Sequence, residues 1–180
     1  MDVLIERTIT PTDDVRSLIA ELEDHLAAGY PPENRHGLAL DAIFQPHIQL
    51  FVALVGGAAV GCAGVALFAD FAELKRMYVR PPARGRGVAD ALLARIETAT
   101  RDAGLARLCL ETGDRQLAAI RVYSRAGFSR CNCAGSETPG PRSATWGRSM
   151  RLAMSPRGVE SQPRARLSSS LSAALYAAAR

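Results

Sequence analysis

Residues 80–89, RPPARGRGVA, join a strand-like segment at residues 73–79 to a helix-like segment that begins at Val88. Glycine adopts left-handed backbone conformations at little steric cost, so this loop can turn successive N–H groups inward. The helix that follows adds unbonded N–H groups and the positive end of its dipole. A strand, a glycine-rich loop and a helix in this order are typical of a site for an anion such as phosphate. A basic helix-entry turn is the alternative.

The loop does not match two common nucleotide-binding motifs. It lacks the Lys-Ser/Thr ending of the phosphate loop found in nucleotide hydrolases. The Gly-x-Gly-x-x-Gly pattern of dinucleotide-binding folds fails at Asp90, where its third glycine would stand. The loop alone therefore does not identify the molecule that carries the anion.

The spacing of apolar residues predicts strands and helices on both sides of this loop. Gly56 and Gly57 mark a hairpin turn, and Thr10 followed by Pro11 indicates an N-cap and the first residue of a helix. Three consecutive antiparallel strands and one crossover helix predict an α/β fold with a mixed, mostly antiparallel sheet. The predicted strands are 3–10, 48–55, 58–69, 73–79 and 105–112, and the predicted helices are 11–28, 38–44, 88–103 and 115–126.

The strand at residues 73–79 has no purely apolar face. Strict alternation predicts Leu74, Arg76 and Tyr78 on one face and Lys75, Met77 and Val79 on the other. Mixed faces of this kind are typical of a strand with one side that lines a polar cleft.

The length of 180 residues fits one ordinary domain. Residues 1–130 carry 15 Lys+Arg and 16 Asp+Glu, whereas residues 131–180 carry 7 Arg and 2 Glu. Because the body of the chain is nearly neutral, we expect no nucleic-acid partner, although binding through the basic tail stays open. No apolar run reaches the roughly 18 residues of a membrane span, and the N-terminus lacks a signal-peptide core. We therefore expect no membrane partner and a cytoplasmic location.

The cysteines and histidines do not predict a metal site. One Cys-x-Cys pair, at Cys131 and Cys133, has no second pair to complete a tetrahedral site. The three histidines are scattered, and none has a partner at ligand spacing. We expect no bound metal.

Three motifs, in this order, resemble those of the GNAT superfamily of acyl-CoA-dependent N-acetyltransferases. Residues 72–81, AELKRMYVRP, are similar to its central strand, and the Arg-x-x-Gly-x-Ala pattern at 84–89 is similar to its Gln/Arg-x-x-Gly-x-Gly/Ala motif. Residues 118–128, AAIRVYSRAGF, resemble its Ala-Ile-x-Leu-Tyr-x-x-x-Gly-Phe helix. The similarity covers roughly residues 3–130. It implies a sheet whose central strand pair is splayed, with helices on its flanks.

The resemblance implies a binding site for acetyl-CoA, the acyl-donor substrate of the family. Backbone groups of Met77, Tyr78 and Val79 would pair with the pantetheine arm between the splayed strands. Backbone N–H groups of the loop would hold the pyrophosphate, and Gln116 stands where the family often has an asparagine that contacts the cofactor. The loop residues are Arg84, Gly85, Arg86, Gly87, Val88 and Ala89.

The resemblance also provides two candidates for proton transfer. It places Tyr123 beside the thioester sulfur, and a phenol with a pKa near 10 can donate a proton to a departing thiolate. It makes Glu73, near the start of the central strand, the candidate base, acting through a water. A packed ring is the alternative for Tyr123, and an ion pair with Lys75 is the alternative for Glu73.

The resemblance fades after about residue 128. Family members continue with two further strands, whereas residues 131–180 are rich in Ser, Pro, Gly and Ala, and only residues 143–154 predict a strand. A slip of the reading frame near residue 130 is an alternative origin for this segment. We expect an acetyltransferase domain at 1–130, a divergent or incomplete part of the sheet at 131–154 and a disordered tail at 155–180.

The predicted activity is transfer of an acetyl group from acetyl-CoA to a primary amine, by direct attack in a ternary complex. We expect a small amine or amino acid as the acceptor, with a protein amine second, and a monomer or homodimer. The alternative is a non-catalytic acyl-CoA-binding or regulatory module, which the unusual C-terminal segment favours.

Overall fold

The computed structural model describes residues 2–31, 38–131 and 143–150. Within these ranges the chain forms one sheet with helices on both faces. The strands are β1 (Leu4–Thr8), β2 (Ile48–Val55), β3 (Ala58–Leu67), β4 (Ala72–Val79), β5 (Arg107–Gly113), β6 (Ser129–Arg130) and β7 (Ser143–Ser149). The α-helices are α1 (Asp13–Ala27), α2 (Val88–Asp102) and α3 (Leu117–Arg125), and short 3-10 helices lie at Asp41–Phe44 and Pro81–Ala83.

In the described part of the chain the sheet has seven strands in the order β1-β2-β3-β4-β5-β7-β6. Among these described strands, only the β4–β5 pair is parallel, and the other neighbours are antiparallel. Helix α2 provides the crossover that a parallel pair requires. The predicted mixed, mostly antiparallel α/β fold is therefore confirmed.

Two apolar clusters lie on the two faces of the sheet. On one face, Leu18 and Leu22 of α1 pack in a buried cluster with Leu50 of β2. On the other face, Leu92 of α2 belongs to a buried cluster that also contains Tyr123 of α3. The two faces are called the α1 face and the α2 face below. This arrangement separates the loop at residues 84–89, at the start of α2, from the chain segment that follows α1.

Helix α1 begins later than the sequence predicted. The hydroxyl of Thr12 accepts a hydrogen bond from the backbone N–H of Val15 at 3.3 Å, which makes Thr12 the N-cap. Thr10 lies before the helix, and its carbonyl accepts the N–H of Thr12 at 2.9 Å. The prediction of Thr10 as the N-cap was wrong, because Thr12 can bond the first helical turn and Asp13 and Asp14 follow there.

The C-terminal part of the sheet is more complete than the sequence indicated. Strand β6 follows Phe128 at once, and β7 lies between β5 and β6 and pairs with both. Trp146 and Met150 are buried against the α2-face cluster. The rest of the predicted strand, at residues 151–154, and the expected tail at 155–180 lie outside the described residues.

Candidate active site

A cleft opens in the sheet where β4 and β5 separate. Their parallel pairing is limited to Ala72, Glu73 and Leu74 against Leu108, Cys109 and Leu110. Residues 75–79 of β4 pair on one side only, with β3, while 107–113 of β5 pair on their far side with β7. The cleft is therefore bordered by residues 75–79 of β4 and 111–113 of β5. It is the splay that the resemblance implied.

The register of β3 and β4 directs the backbone of Val79 into the cleft. The N–H of Arg80 donates to the carbonyl of Val60 at 2.9 Å, so these two form a hydrogen-bonded pair. Backbone groups alternate sides along a strand, so Tyr78 bonds to Cys62 across β3 and Val79 faces the other way. Of the three residues implied for backbone pairing, Val79 has the required direction, whereas the backbone of Tyr78 pairs with β3. Met77 lies in the bulge described below, where strict alternation does not hold.

The carbonyl of Val79 already has a partner at the end of the cleft. Nε of Arg84 donates to this oxygen at 2.9 Å, and the guanidinium lies 5.9 Å from the centre of the Tyr78 ring. The exposed side chain of Arg84 therefore ties the loop to the end of β4. The sequence motif indicated the backbone of this residue and not this contact.

A β-bulge in β4 was not predicted. Arg76 and Met77 together face Ala63 of β3, because the register shifts between Cys62 and Gly64. Arg76 has a φ of 53°, which is uncommon for a residue other than glycine. The extra residue reverses the alternation, so the predicted faces were wrong: Leu74, Met77 and Val79 pack on the α2 face and Tyr78 packs on the α1 face.

The guanidinium of Arg76 connects the bulge to the α1 face. Nη1 donates to the carboxylate of Glu23 on α1, and Nη2 donates to the backbone carbonyl of Leu38. The thiol of Cys62 donates to the carbonyl of Arg76 itself at 3.4 Å. These bonds hold β4 in the shape that opens the cleft.

In the loop at residues 84–89, called the anion loop here, most backbone N–H groups have no backbone partner among the described residues. Gly85 and Gly87 have φ angles of 73° and 81°, and a Cβ at either position would meet nothing within 4 Å. Gly87 is the N-cap of α2 and makes no side-chain capping bond. The first N–H of this turn with a backbone partner in the described chain is that of Ala91, bonded to Gly87 at 3.0 Å.

Arg84 differs from the rest of the anion loop. Its N–H is bonded to the carbonyl of Pro81 at 3.2 Å, within the short 3-10 helix that precedes it. The N–H groups of Gly85, Arg86, Gly87, Val88 and Ala89 have no such backbone partner among the described residues. Together with the positive end of the α2 dipole, they form a concave donor set that suits phosphate oxygens.

Tyr123 lies on α3 with 7% of its surface exposed. Its ring makes an edge contact with Phe128, with the ring centres 5.9 Å apart. Burial raises the pKa of its hydroxyl well above the usual value, so the group stays protonated at neutral pH. A protonated phenol is a hydrogen-bond donor, as a proton-donating role requires. Gln116 is half-buried at the N-cap of the same helix and makes no side-chain capping bond there.

Glu73 is buried, with 4% of its surface exposed, and lies where β4 and β5 are still paired. One of its carboxylate oxygens accepts a hydrogen bond from Nζ of Lys75 at 2.7 Å. The ion pair considered as an alternative is therefore present. It does not by itself exclude a role in proton transfer, because a paired carboxylate still has acceptor capacity.

Tyr30, which follows α1, contacts the chain beyond the end of β5. Its hydroxyl accepts a hydrogen bond from the N–H of Arg115 at 2.8 Å. Tyr30 and Arg115 are 85 positions apart, so no local sequence pattern predicts this contact. The one trace of it in the sequence is a glycine in β5, at the point where the Tyr30 ring packs.

In the described ranges, no three His, Cys, Asp or Glu side chains are grouped closely enough to hold a metal ion. The helices in those ranges are also too short or too polar to cross a membrane.

The chain is similar in sequence to known proteins. The model of the Acetyltransferase (GNAT) family matches residues 15–128. The chain is 40% identical over 144 residues to the IAA acetyltransferase of Azospirillum brasilense, across 79% of this chain and 94% of that protein. It is 31% identical over 128 residues to the uncharacterized N-acetyltransferase YedL of Escherichia coli, across 67% of this chain and 80% of that protein.

Solved structures share the fold. A Klebsiella pneumoniae protein assigned as an acyl-CoA N-acyltransferase superposes with a TM-score of 0.67 at 28% identity, across 83% of this chain and 98% of that one. The PaiA N-acetyltransferase of Thermoplasma acidophilum, solved in complex with coenzyme A, superposes with a TM-score of 0.64 at 16% identity, across 83% and 99%.

Proposed function

Because the chain belongs to the Acetyltransferase (GNAT) family and is therefore an acyltransferase enzyme, we propose that it moves an acetyl group from acetyl-CoA to a primary amine. The observation that carries this proposal is the cleft between β4 and β5, which ends beside the unbonded N–H groups of the anion loop. An extended arm can pair with β4 as an added strand while its phosphates reach the start of α2.

The described residues fit such a donor. Val79 presents its backbone to the cleft. Met77, in the bulge of β4, would supply a second backbone contact. The N–H groups of residues 85–89 would hold the pyrophosphate, with Gln116 at the start of α3 as a further contact. The Val79 carbonyl has two lone pairs, so it can accept a hydrogen bond from the pantetheine arm while it keeps the one from Arg84.

The donor supplies a thioester carbonyl, which a neutral amine attacks so that a C–N bond forms and the C–S bond breaks. Glu73 accepts the proton that the amine loses, through a water. Tyr123 donates a proton to the departing sulfur, and the backbone N–H near Met77 polarises the carbonyl. Direct attack in a ternary complex needs no acyl-enzyme. Consistent with this, Cys62 is free and buried, and burial raises the pKa of its thiol to about 12, so it is a poor nucleophile.

The proposed acceptor is a small amine or an amino acid, with a protein amine second. The 40% identical relative is named for IAA and not for a protein acceptor, which supports this order. A monomer or homodimer and a cytoplasmic location are part of the same proposal.

The test is release of free thiol from acetyl-CoA in the presence of single amines. The panel contains free amino acids, polyamines, aminoglycosides, and peptides with a free N-terminus or a single lysine. We expect turnover with at least one amine and a product heavier by one acetyl group in its mass spectrum. Initial rates at varied concentrations of both substrates should give intersecting double-reciprocal lines, whereas parallel lines indicate an acyl-enzyme. Coenzyme A binding with no turnover on any amine contradicts the proposal and favours the non-catalytic module.

A further inference from the structure

Tyr30, just after α1, is anchored to the far side of the cleft. It has 7% of its surface exposed, and its hydroxyl accepts the backbone N–H of Arg115 at 2.8 Å. Arg115 also donates a second hydrogen bond to the same segment, from Nη1 to the carbonyl of Gly29 at 3.1 Å. Two bonds therefore join the end of α1 to the turn between β5 and α3.

Gly113, the last residue of β5, is shaped to receive this side chain. A Cβ at this position would lie 2.1 Å from the Tyr30 hydroxyl oxygen and 2.4 Å from Cζ of its ring. Gly113 has no left-handed φ, so its backbone conformation is open to any residue. The packing of Tyr30 is thus the reason for a glycine here, which allows a clean steric test.

The Tyr30 contact connects the chain after α1 to the two strands that border the cleft and to α3. Arg115 immediately precedes Gln116, the N-cap of α3, and α3 carries Tyr123. Leu38, which resumes the described chain after Tyr30 and Pro31, is held to β4 by Arg76. The chain on the α1 face is therefore tied to β5 by Tyr30 and to β4 by Leu38, the two strands that border the cleft.

We propose that Tyr30 is a positioning residue that holds the α1 face of the cleft. The amine approaches from this face because Glu73, the proposed base, precedes Leu74 on β4, and Leu74 packs on the α2 face, so the Glu73 side chain lies on the α1 face. This inference rests on the proposed function. Tyr30 acts through Gly113 and Arg115 and does not touch the reacting atoms. Loss of its anchor therefore weakens binding of the amine while the chemical step and the anion loop stay intact.

Four variants separate positioning from chemistry: Tyr30→Phe, Tyr30→Ala, Gly113→Ala and the double variant Tyr30→Ala with Gly113→Ala. The acceptor is the amine of the panel above with the highest kcat/KM. For Tyr30→Phe we expect the amine KM to rise about three- to tenfold, because small misplacements of a binding wall are costly. The value of kcat should stay within about twofold, with the KM for acetyl-CoA and the pH profile of kcat unchanged.

A comparison of Gly113→Ala in the wild-type and Tyr30→Ala backgrounds provides a second test. Gly113→Ala should raise the amine KM about tenfold when Tyr30 is present and less than about twofold when residue 30 is alanine, because the added methyl group then has room. The proposal is overturned if Gly113→Ala is equally harmful in both backgrounds. It is also overturned if Tyr30→Phe lowers only the melting temperature, or lowers kcat and shifts its pH profile.

The same variants distinguish failure of this inference from failure of the proposed function. A wild-type chain that acetylates no amine of the panel contradicts the proposed function. The docking of Tyr30 is then judged on melting temperature, which Gly113→Ala should lower in the wild-type background and leave nearly unchanged in the Tyr30→Ala background. Equal losses in the two backgrounds overturn the docking.

Discussion

At the residue scale, the proposed role of Tyr123 as a proton donor can be tested most directly. The ring is fixed by its packing on Phe128, so the direction of the hydroxyl is set by the fold and not by a flexible side chain. Removing only the oxygen, in Tyr123→Phe, should lower kcat about 100-fold while leaving the KM for acetyl-CoA within about threefold. Steady-state kinetics check this, and an unchanged kcat would show that the ring only packs.

The raised pKa of Tyr123 also predicts a pH dependence of stability. The unfolded hydroxyl ionises near its usual pKa of about 10, whereas the buried one ionises only at higher pH. The stabilising contribution of this group is therefore complete below pH about 10 and is lost as the pH rises further. Urea unfolding of the wild type between pH 8 and pH 11 should show this loss, and Tyr123→Phe should reduce it. Equal pH dependence in both proteins would exclude Tyr123 as the cause.

Glu73 can be tested as a base apart from its ion pair. We expect Glu73→Gln to lower kcat about tenfold or more at pH 7, and the deficit should shrink as the pH approaches the pKa of the free amine, where less deprotonation is needed. Lys75→Met is the matched control, because it removes the same ion pair and keeps the carboxylate. Equal, pH-independent losses in the two variants would assign Glu73 a structural role only.

The sequence predicted the residue types of the site better than their partners. Glu73 and Lys75 are two positions apart on one strand, so their ion pair was foreseeable. The bond between Tyr30 and Arg115 crosses 85 positions and depends on how α1 and β5 meet. The contact of Arg84 with Val79 depends on the turn between them, which the motif does not specify. Distant and turn-dependent contacts of this kind leave no periodic signal.

At the scale of elements, the anion loop and α2 form one unit whose function depends on backbone direction. Gly87 has a φ of 81°, a conformation that costs other residues about 1–2 kcal/mol. Gly87→Ala should therefore turn the neighbouring N–H groups away and raise the Kd for coenzyme A about tenfold or more, as measured by calorimetry.

Gly57 provides the control for Gly87, since it has a φ of 80° in the β2–β3 turn and likewise nothing within 4 Å of a built Cβ. Gly57→Ala carries the same backbone strain away from the cleft. We expect it to lower the free energy of unfolding by about 1 kcal/mol and leave the Kd for coenzyme A unchanged. A similar rise in Kd for both variants would attribute the effect to general destabilisation.

Element boundaries followed from periodicity where it was undisturbed. The predicted strand at 48–55 and the start of the helix at Val88 agree with the structure. The bulge at Arg76 was missed because alternation was assumed to continue through β4, and an extra residue has no signature in a polar strand. Strand β6 has two residues, which is too few to show any period.

At the scale of the whole molecule, β7 extends the sheet beyond β5 and connects β5 to β6. Trp146 is the single tryptophan of the chain and lies buried on β7, with Arg130 of β6 5.8 Å from its ring centre. We expect tryptophan emission that is blue-shifted relative to the unfolded chain and poorly quenched by acrylamide. Emission typical of exposed tryptophan would contradict the placement of β7.

The pairing of β7 also bears on the reading frame. Seven residues of β7 are in register with β5, and Trp146 and Met150 face the apolar cluster. An out-of-frame segment has no physical reason to combine this register with this burial pattern. These observations favour one uninterrupted frame through residue 150, and resequencing of the gene checks it. The sequence predicted a strand at residues 143–154, but it could not predict that this strand pairs with β5 and β6, because those contacts depend on the fold.

A crystal structure of the full chain with coenzyme A would test directly whether the cleft and the anion loop together bind the acyl donor. We predict pyrophosphate oxygens within hydrogen-bond distance of the N–H groups of residues 85–89. The pantetheine arm should pair with the backbone of Val79 in the cleft, with its sulfur near the Tyr123 hydroxyl. Coenzyme A bound elsewhere, or a cleft closed by further pairing of β4 with β5, would contradict the account.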